Sequence, residues 1–335
     1  MATLRYGEKE ITIDKAIDTL EGLRYAWRGD ELETSINYNL GKLYLEKGEP
    51  IKALGLMRLA SGLIPNSEMG KTINQVMHAT FRDLYMTDKI QDLSPLEALT
   101  MYDEFSELVP QGAEGDRLAR QLAERLADVD LLPRAINLLK NQVDTRLSGL
   151  DGGTVAIRLA SMQVLDNKPE DALKTLEQAT NFLKDVPTEE AEPKRRQIAL
   201  LKAKAYSLMN KPQDSFEALS LLSQDEDVLR LRADIAWKSK KWQEAADSLE
   251  QLVSKQNISL TRPLTEAQAK LIMDWAVALY LADNRYVLAN LRERYSDSMS
   301  QTSRAREFEV ITRPRQNILL ADRDTIKGII GETDM

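Results

Sequence analysis

The sequence predicts an all-α protein built from successive helix-turn-helix pairs, and three observations carry that reading. Apolar residues recur at helical spacing, and strand signals are nearly missing. Small residues return at matching places on either side of polar turns. Helix stop and start signals, such as Gly48 and the Ser94-Pro95-Leu96-Glu97 capping pattern, fall between those small residues.

The clearest pair is LGKLYLEKGEPIKALGLMRLASGLIP, residues 40–65. Counting Thr34 as position one, Leu40 and Gly41 fall at seven and eight, Tyr44 at eleven, Ala53 at twenty, Ala60 at twenty-seven and Pro65 at thirty-two. Small residues at eight and twenty let two helices approach closely, and the large residues around them fill the contact. Gly48 should end the first helix in a left-handed cap, and Pro65 should stop the second. The stretch 79–112 gives a weaker pair, with Ala98, Tyr102, Phe105 and Pro110 on its second helix.

Residues 116–147 repeat the pattern with Leu122, Ala123, Leu126, a turn at Asp130, Ala135 and Leu139. Residues 153–184 give Leu159, Ala160, Asn167, Ala172, Leu176 and Ala179. Ala203, Tyr206, Asn210, Ser215 and Leu219 follow, then Ala233, Ala236, Lys240, Ala245, Leu249 and Leu252, and finally Tyr280, Asn284 and Ala289.

This pattern resembles the tetratricopeptide repeat, a helix-turn-helix unit of about 34 residues. Asn37 stands where the family usually has tryptophan, and Met57 where it has an aromatic residue. The resemblance covers residues 13–296 and implies an α-solenoid of about seven such units wound into a right-handed superhelix. The steps between Ala53, Ala98, Ala135, Ala172, Ser215, Ala245 and Ala289 are unequal, so the array is expected to be degenerate.

The expected organisation is a partial repeat over 1–30, repeats over 31–296, and a linker with a short capping helix over 297–335. In the first part, Ala16, Leu20 and Leu23 mark a second helix over 13–27, with about one helical turn around Leu4 in front of it. That imbalance suggests a fragment of a longer bacterial repeat protein. In the last part, Arg313-Pro314-Arg315 reads as a linker, and Ile326, Ile329 and Ile330 read as a short amphipathic helix that caps the array or docks elsewhere.

Composition narrows the function. With 43% hydrophobic and 29% charged residues among 335, the chain has material for a core. A net charge of −8 gives no general pull toward phosphate backbones, so no nucleic acid is expected. The run Leu271–Ala282 is broken by Asp274 and is shorter than the roughly 20 residues of a membrane span. The opening MATLRYGEKEITID has no apolar run, which implies a cytoplasmic protein if the chain is complete and leaves the cell envelope or periplasm open if it is a fragment.

No catalytic constellation is legible. Cysteine is absent and His78 is the single histidine, so no metal, cofactor or catalytic residue is expected and the chain reads as a non-enzyme. Gly149-Leu150-Asp151-Gly152-Gly153-Thr154 lacks the lysine of a phosphate loop and reads as a turn between pairs. Glu189-Glu190 and Asp225-Glu226-Asp227 suit helix starts, and Lys194-Arg195-Arg196 suits a solvated face.

What the resemblance implies about binding is a groove lined by first helices that holds a partner protein or peptide. Carried over by position, its candidates are Tyr38, Lys42, Arg120, Glu124, Arg158, Ser161, Lys204, Arg230, Asp234 and Trp237. Their mixed signs imply a partner with patterned charge. Trp237 reads either as a binding anchor or as packing, and Trp242 as core. Tyr38 and Lys42, with Asn39 an isolated match, do not make the carboxylate clamp of chaperone-binding relatives. The expected function is a non-catalytic scaffold or adaptor. The alternatives are a homo-oligomerising module that uses the apolar helix 271–282, and an RNA-binding helical repeat.

Overall fold

A computed structural model describes residues 2–26, 31–258, 262–313 and 325–330. They fall into two compact units, 1–142 and 143–335. Regular structure among the described residues is entirely helical. The first unit holds α1 (Ala2–Gly7), α2 (Ile13–Ala26), α3 (Glu31–Glu46), α4 (Pro50–Leu63), α5 (Glu68–Met86), α6 (Pro95–Glu104), α7 (Ala113–Asp128) and most of α8 (Leu132–Thr145). The second holds α9 (Gly149–Leu165), α10 (Pro169–Phe182), α11 (Thr188–Leu208), α12 (Pro212–Ser220), α13 (Glu226–Lys238), α14 (Trp242–Lys255), α15 (Glu266–Leu281), α16 (Arg285–Met299), α17 (Ala305–Thr312) and a six-residue helix at 325–330. Packing is mainly between consecutive helices, as in a helical repeat.

Six of the pairs share one turn. Gly48, Asp130, Asn167, Asn210, Lys240 and Asp283 each adopt positive φ, 83° for Gly48 and 55–61° for the others. After each, the next N–H reaches back five residues: Glu49 donates to Tyr44 O, Leu131 to Leu126 O, Lys168 to Gln163 O, Lys211 to Tyr206 O, Lys241 to Ala236 O and Asn284 to Leu279 O, at 2.8–3.0 Å. This is a Schellman cap, which satisfies carbonyls that the helix end would leave open. In three of the pairs a proline then opens the second helix at Pro50, Pro169 and Pro212, where its missing N–H costs nothing.

The turn sets the register of what faces what. Seven residues before it stand Gly41, Ala123, Ala160, Ala203, Ala233 and Ala276, all buried. Five residues after it stand Ala53, Ala135, Ala172, Ser215 and Ala245, all fully buried. Two pairs show that these positions meet. A Cβ on Gly41 would lie 3.0 Å from Ala53 O, and Ser215 Oγ donates to Ala203 O at 2.9 Å.

The last pair departs from the sequence reading by one residue. Asp283, not Asn284, takes the left-handed position, so Leu279 and Leu288 replace Tyr280 and Ala289 as the matching residues, and Ala289 is exposed. Leu288 therefore stands where the other pairs have a small side chain, and α15 packs less closely on α16 than α9 does on α10.

Further expectations meet the structure unevenly. The stretch read as linker contains α17, whose Phe308, Val310 and Ile311 are buried; the surrounding serines and arginines masked that short apolar face. The apolar helix 271–282, read as a possible oligomerising surface, has most of its apolar residues in the core, since Leu271, Ile272, Met273, Trp275, Ala276, Val277, Ala278 and Leu279 are all buried. Gly149 turns with φ 60°, but Gly152 and Gly153 lie inside α9, where added Cβ atoms would meet Phe182 at 3.1 Å and Leu183 at 2.7 Å. At the front, α1 packs on α2 through Tyr6, while Leu4 stays exposed. Trp27, Pro314 and Arg315 lie outside the described residues.

Candidate partner-binding surface

The candidates divide between the units. In the first, Tyr38 and Lys42 are one turn apart on α3, with Lys42 Nζ 5.2 Å from the Tyr38 ring centroid. Arg120 and Glu124 are half-buried on α7, where Arg120 Nε donates to Asp116 O at 3.2 Å. A cleft of about 360 Å³ elsewhere in this unit is lined in part by Glu21, Arg24, Tyr44, Lys52, Leu56 and Leu59. Its charges are largely paired: Lys52 with Glu49 at 2.6 Å, Arg24 with Glu21 at 3.5 Å, and the Tyr44 hydroxyl donating to Glu21 at 3.2 Å.

The second unit gathers the more coherent surface. Here α9 packs on α11 and α11 on α13, so Arg158, Lys204 and the Arg230–Asp234–Trp237 stripe lie on first helices of successive pairs. Arg158, Lys204, Arg230 and Asp234 are exposed, while Ser161 is half-buried. On α13, Glu226, Arg230, Asp234 and Lys238 are spaced four apart and alternate in sign along one face. On α15, Glu266, Lys270 and Asp274 do the same, and that stripe went unnoticed in the sequence.

Asp234 and Asp274 tie these helices together. Crowding by protein pushes the Asp234 carboxyl above its ordinary value, against the pull of Lys238, Arg230 and Lys204. Burial does the same to Asp274, against Lys270 and Arg304, and the Asp234 charge raises it further. Lys204 of α11, Asp234 of α13 and Asp274 of α15 are thus within electrostatic reach of one another. Asp234 combines an exposed surface with crowding by surrounding protein, as expected of a side chain in a recess. Arg230 is held by Glu226 at 2.6 Å and Arg304 by Glu266 at 3.3 Å, whereas Lys204, Lys238 and Lys270 are exposed.

Trp237 belongs to the packing. It is half-buried against the apolar cluster of α13 to α17, and its ring meets Trp242 edge-on at 5.5 Å. Its indole N–H is buried with no acceptor.

His78 is exposed on α5. Asp225 caps α13 by accepting from Val228 N at 3.1 Å and pairs with Arg196 at 2.7 Å, which holds its carboxyl below the usual range. Arg195 donates to Leu183 O at 3.3 Å. Among the described residues no group of three or more histidine, aspartate or glutamate side chains is placed to hold a metal ion, and no helix is long and apolar enough to cross a membrane. The sequence matches no protein-family model and no curated protein, so the functional reading rests on these residues alone.

Proposed function

We propose that the chain is a degenerate tetratricopeptide-like array, an α-solenoid with a right-handed superhelical course, that serves as a non-catalytic scaffold for a partner protein or peptide. The binding surface is the first-helix face of the second unit, on α11, α13 and α15. The observation that carries this reading is the pair of alternating charge stripes on α13 and α15 that approach at Asp234 and Asp274, the first exposed and the second half-buried, both crowded by protein. Charges arranged this way discriminate between partners more than they add raw affinity, so the partner carries a complementary alternating pattern. Neither nucleic acid nor a membrane is required.

The test compares capture of partners from native extract by the unaltered chain and by Lys204→Glu combined with Lys238→Glu. Both lysines are exposed, so the variant should keep its helical circular dichroism. Loss of a specific partner in the variant supports the surface. Unchanged capture removes it from consideration.

A further inference from the structure

The shared turn lets one position be followed from pair to pair. The last residue of each first helix stands two before the left-handed residue, and it is Glu46, Asp128, Leu165, Leu208, Lys238 or Leu281. Three of these are charged, and Leu281 is half-buried. Leu165 and Leu208 are instead 67% and 48% exposed.

A single exposed leucine is ordinary. These two end helices that pack on each other, α9 and α11, at the same step of the same turn, so together they make one aliphatic shelf. The shelf continues the charged face. Leu165 is one turn on from Ser161, and Leu208 is one turn on from Lys204, just as Lys238 follows Asp234 on α13.

Positive charge is in surplus beside the shelf. Arg230 is neutralised by Glu226. Lys204 and Lys238 are exposed and make no direct ion pair among the described residues, and both act on the single Asp234 carboxylate. Two cations thus share one anion next to two uncovered leucines. The surplus attracts an acidic side chain, and the shelf gains from being covered by an aliphatic one. An apolar centre with a polar border is also the makeup of a protein-binding patch.

We propose that Leu165 and Leu208 are the apolar anchor of the partner-binding face, and that the partner is a peptide segment with an aliphatic residue close in sequence to an acidic one. The aliphatic side chain covers the shelf and the acidic one lies between Lys204 and Lys238. The proposal rests on the charged-face reading and adds to it α9 and the chemistry of the ligand. Neighbouring helix axes lie roughly 8–10 Å apart and an extended chain advances about 3.3 Å per residue, so the two partner residues fall within about four positions of each other.

The probe is a phage-displayed library of random dodecapeptides panned on the full chain, with the enriched sequences synthesised and titrated by fluorescence anisotropy. Enriched peptides should share an aliphatic residue and an aspartate or glutamate at that spacing. Leu165→Gln with Leu208→Gln changes no charge and should weaken binding at least about tenfold, equally at low and high salt. Lys204→Glu with Lys238→Glu should weaken it at least about fivefold at low salt and less at high salt. Leu221→Gln, beyond the end of the second helix α12 and 95% exposed, should change nothing. All five positions are exposed, so helical circular dichroism should persist. If the double glutamine variant loses that signal, the single variants decide, each weakening binding about threefold. No enriched peptide, enriched peptides without the aliphatic and acidic pair, or affinity indifferent to the glutamines overturns the proposal. In the last case, sensitivity to the lysine changes leaves the charged face standing alone. Affinity that responds to the glutamines and not to the lysine changes overturns both readings. An equal loss in L221Q reports general surface stickiness and overturns the shelf.

Discussion

Gly41→Ala puts the helix-pair geometry under direct load. Replacing glycine by alanine inside a helix is normally worth about 1 kcal/mol in favour of the folded state. At Gly41 the new Cβ would lie 2.8 Å from Met57 Cγ and 3.0 Å from Ala53 O. The methionine can swing away, but the carbonyl belongs to the backbone of α4, so α3 and α4 must separate by a few tenths of an ångström. Overpacking of that kind costs about 1–3 kcal/mol, leaving a net loss of about 1 kcal/mol after the helical gain. Gly22→Ala, in the middle of α2 with nothing within 4 Å of its Cβ, has the gain without the clash. Calorimetry on the full chain should therefore show the first unit melting roughly 4 °C lower in G41A and roughly 4 °C higher in G22A. Equal stabilisation by both substitutions would refute the close approach of α3 and α4 as the basis of the pair.

Other substitutions read other contacts. Asp225→Ala should cost about 1 kcal/mol in urea unfolding through loss of the α13 cap, whereas Asp225→Asn keeps the cap and loses only the half-exposed pair with Arg196. Because the folded Asp225 carboxyl is held below its unfolded value, the gap between wild type and D225A should close as pH falls below about 4. Asp274 has the opposite sign. Its folded carboxyl is raised, so the native state loses stability as pH rises from the unfolded value through the folded one; Asp274→Asn should melt higher than wild type at pH 7 and equally at pH 3. Tyr85 is buried and donates its hydroxyl to Ala98 O, joining α5 to α6, so Tyr85→Phe should lose about 1 kcal/mol in urea unfolding with helical content unchanged.

The helix pairs were legible because their small residues and turns leave marks in local spacing. Gly48 announces a left-handed cap by its identity, and Asn167 and Asn210 tolerate one. Lys240 announces nothing; it adopts the conformation because the Schellman bond from Lys241 to Ala236 closes the same turn as in its neighbours. At the last pair two acceptable residues stand side by side, and identity alone favoured Asn284, while the structure places Asp283 in the cap. The α17 signal was present in Phe308, Val310 and Ile311, but eight residues among serines and arginines are too few to show a period. The charge stripes on α13 and α15 are readable one helix at a time. Their meeting at Asp234 and Asp274 is tertiary, since residues forty positions apart come together only through the intervening α14.

Lysine-directed cross-linking of the captured complex, read by mass spectrometry, tests the binding surface most directly. The account predicts links to the partner from Lys204, Lys238 and Lys270, which lie on α11, α13 and α15 and are exposed. Links confined to lysines of second helices such as Lys52 and Lys174, with none from those three, would contradict it.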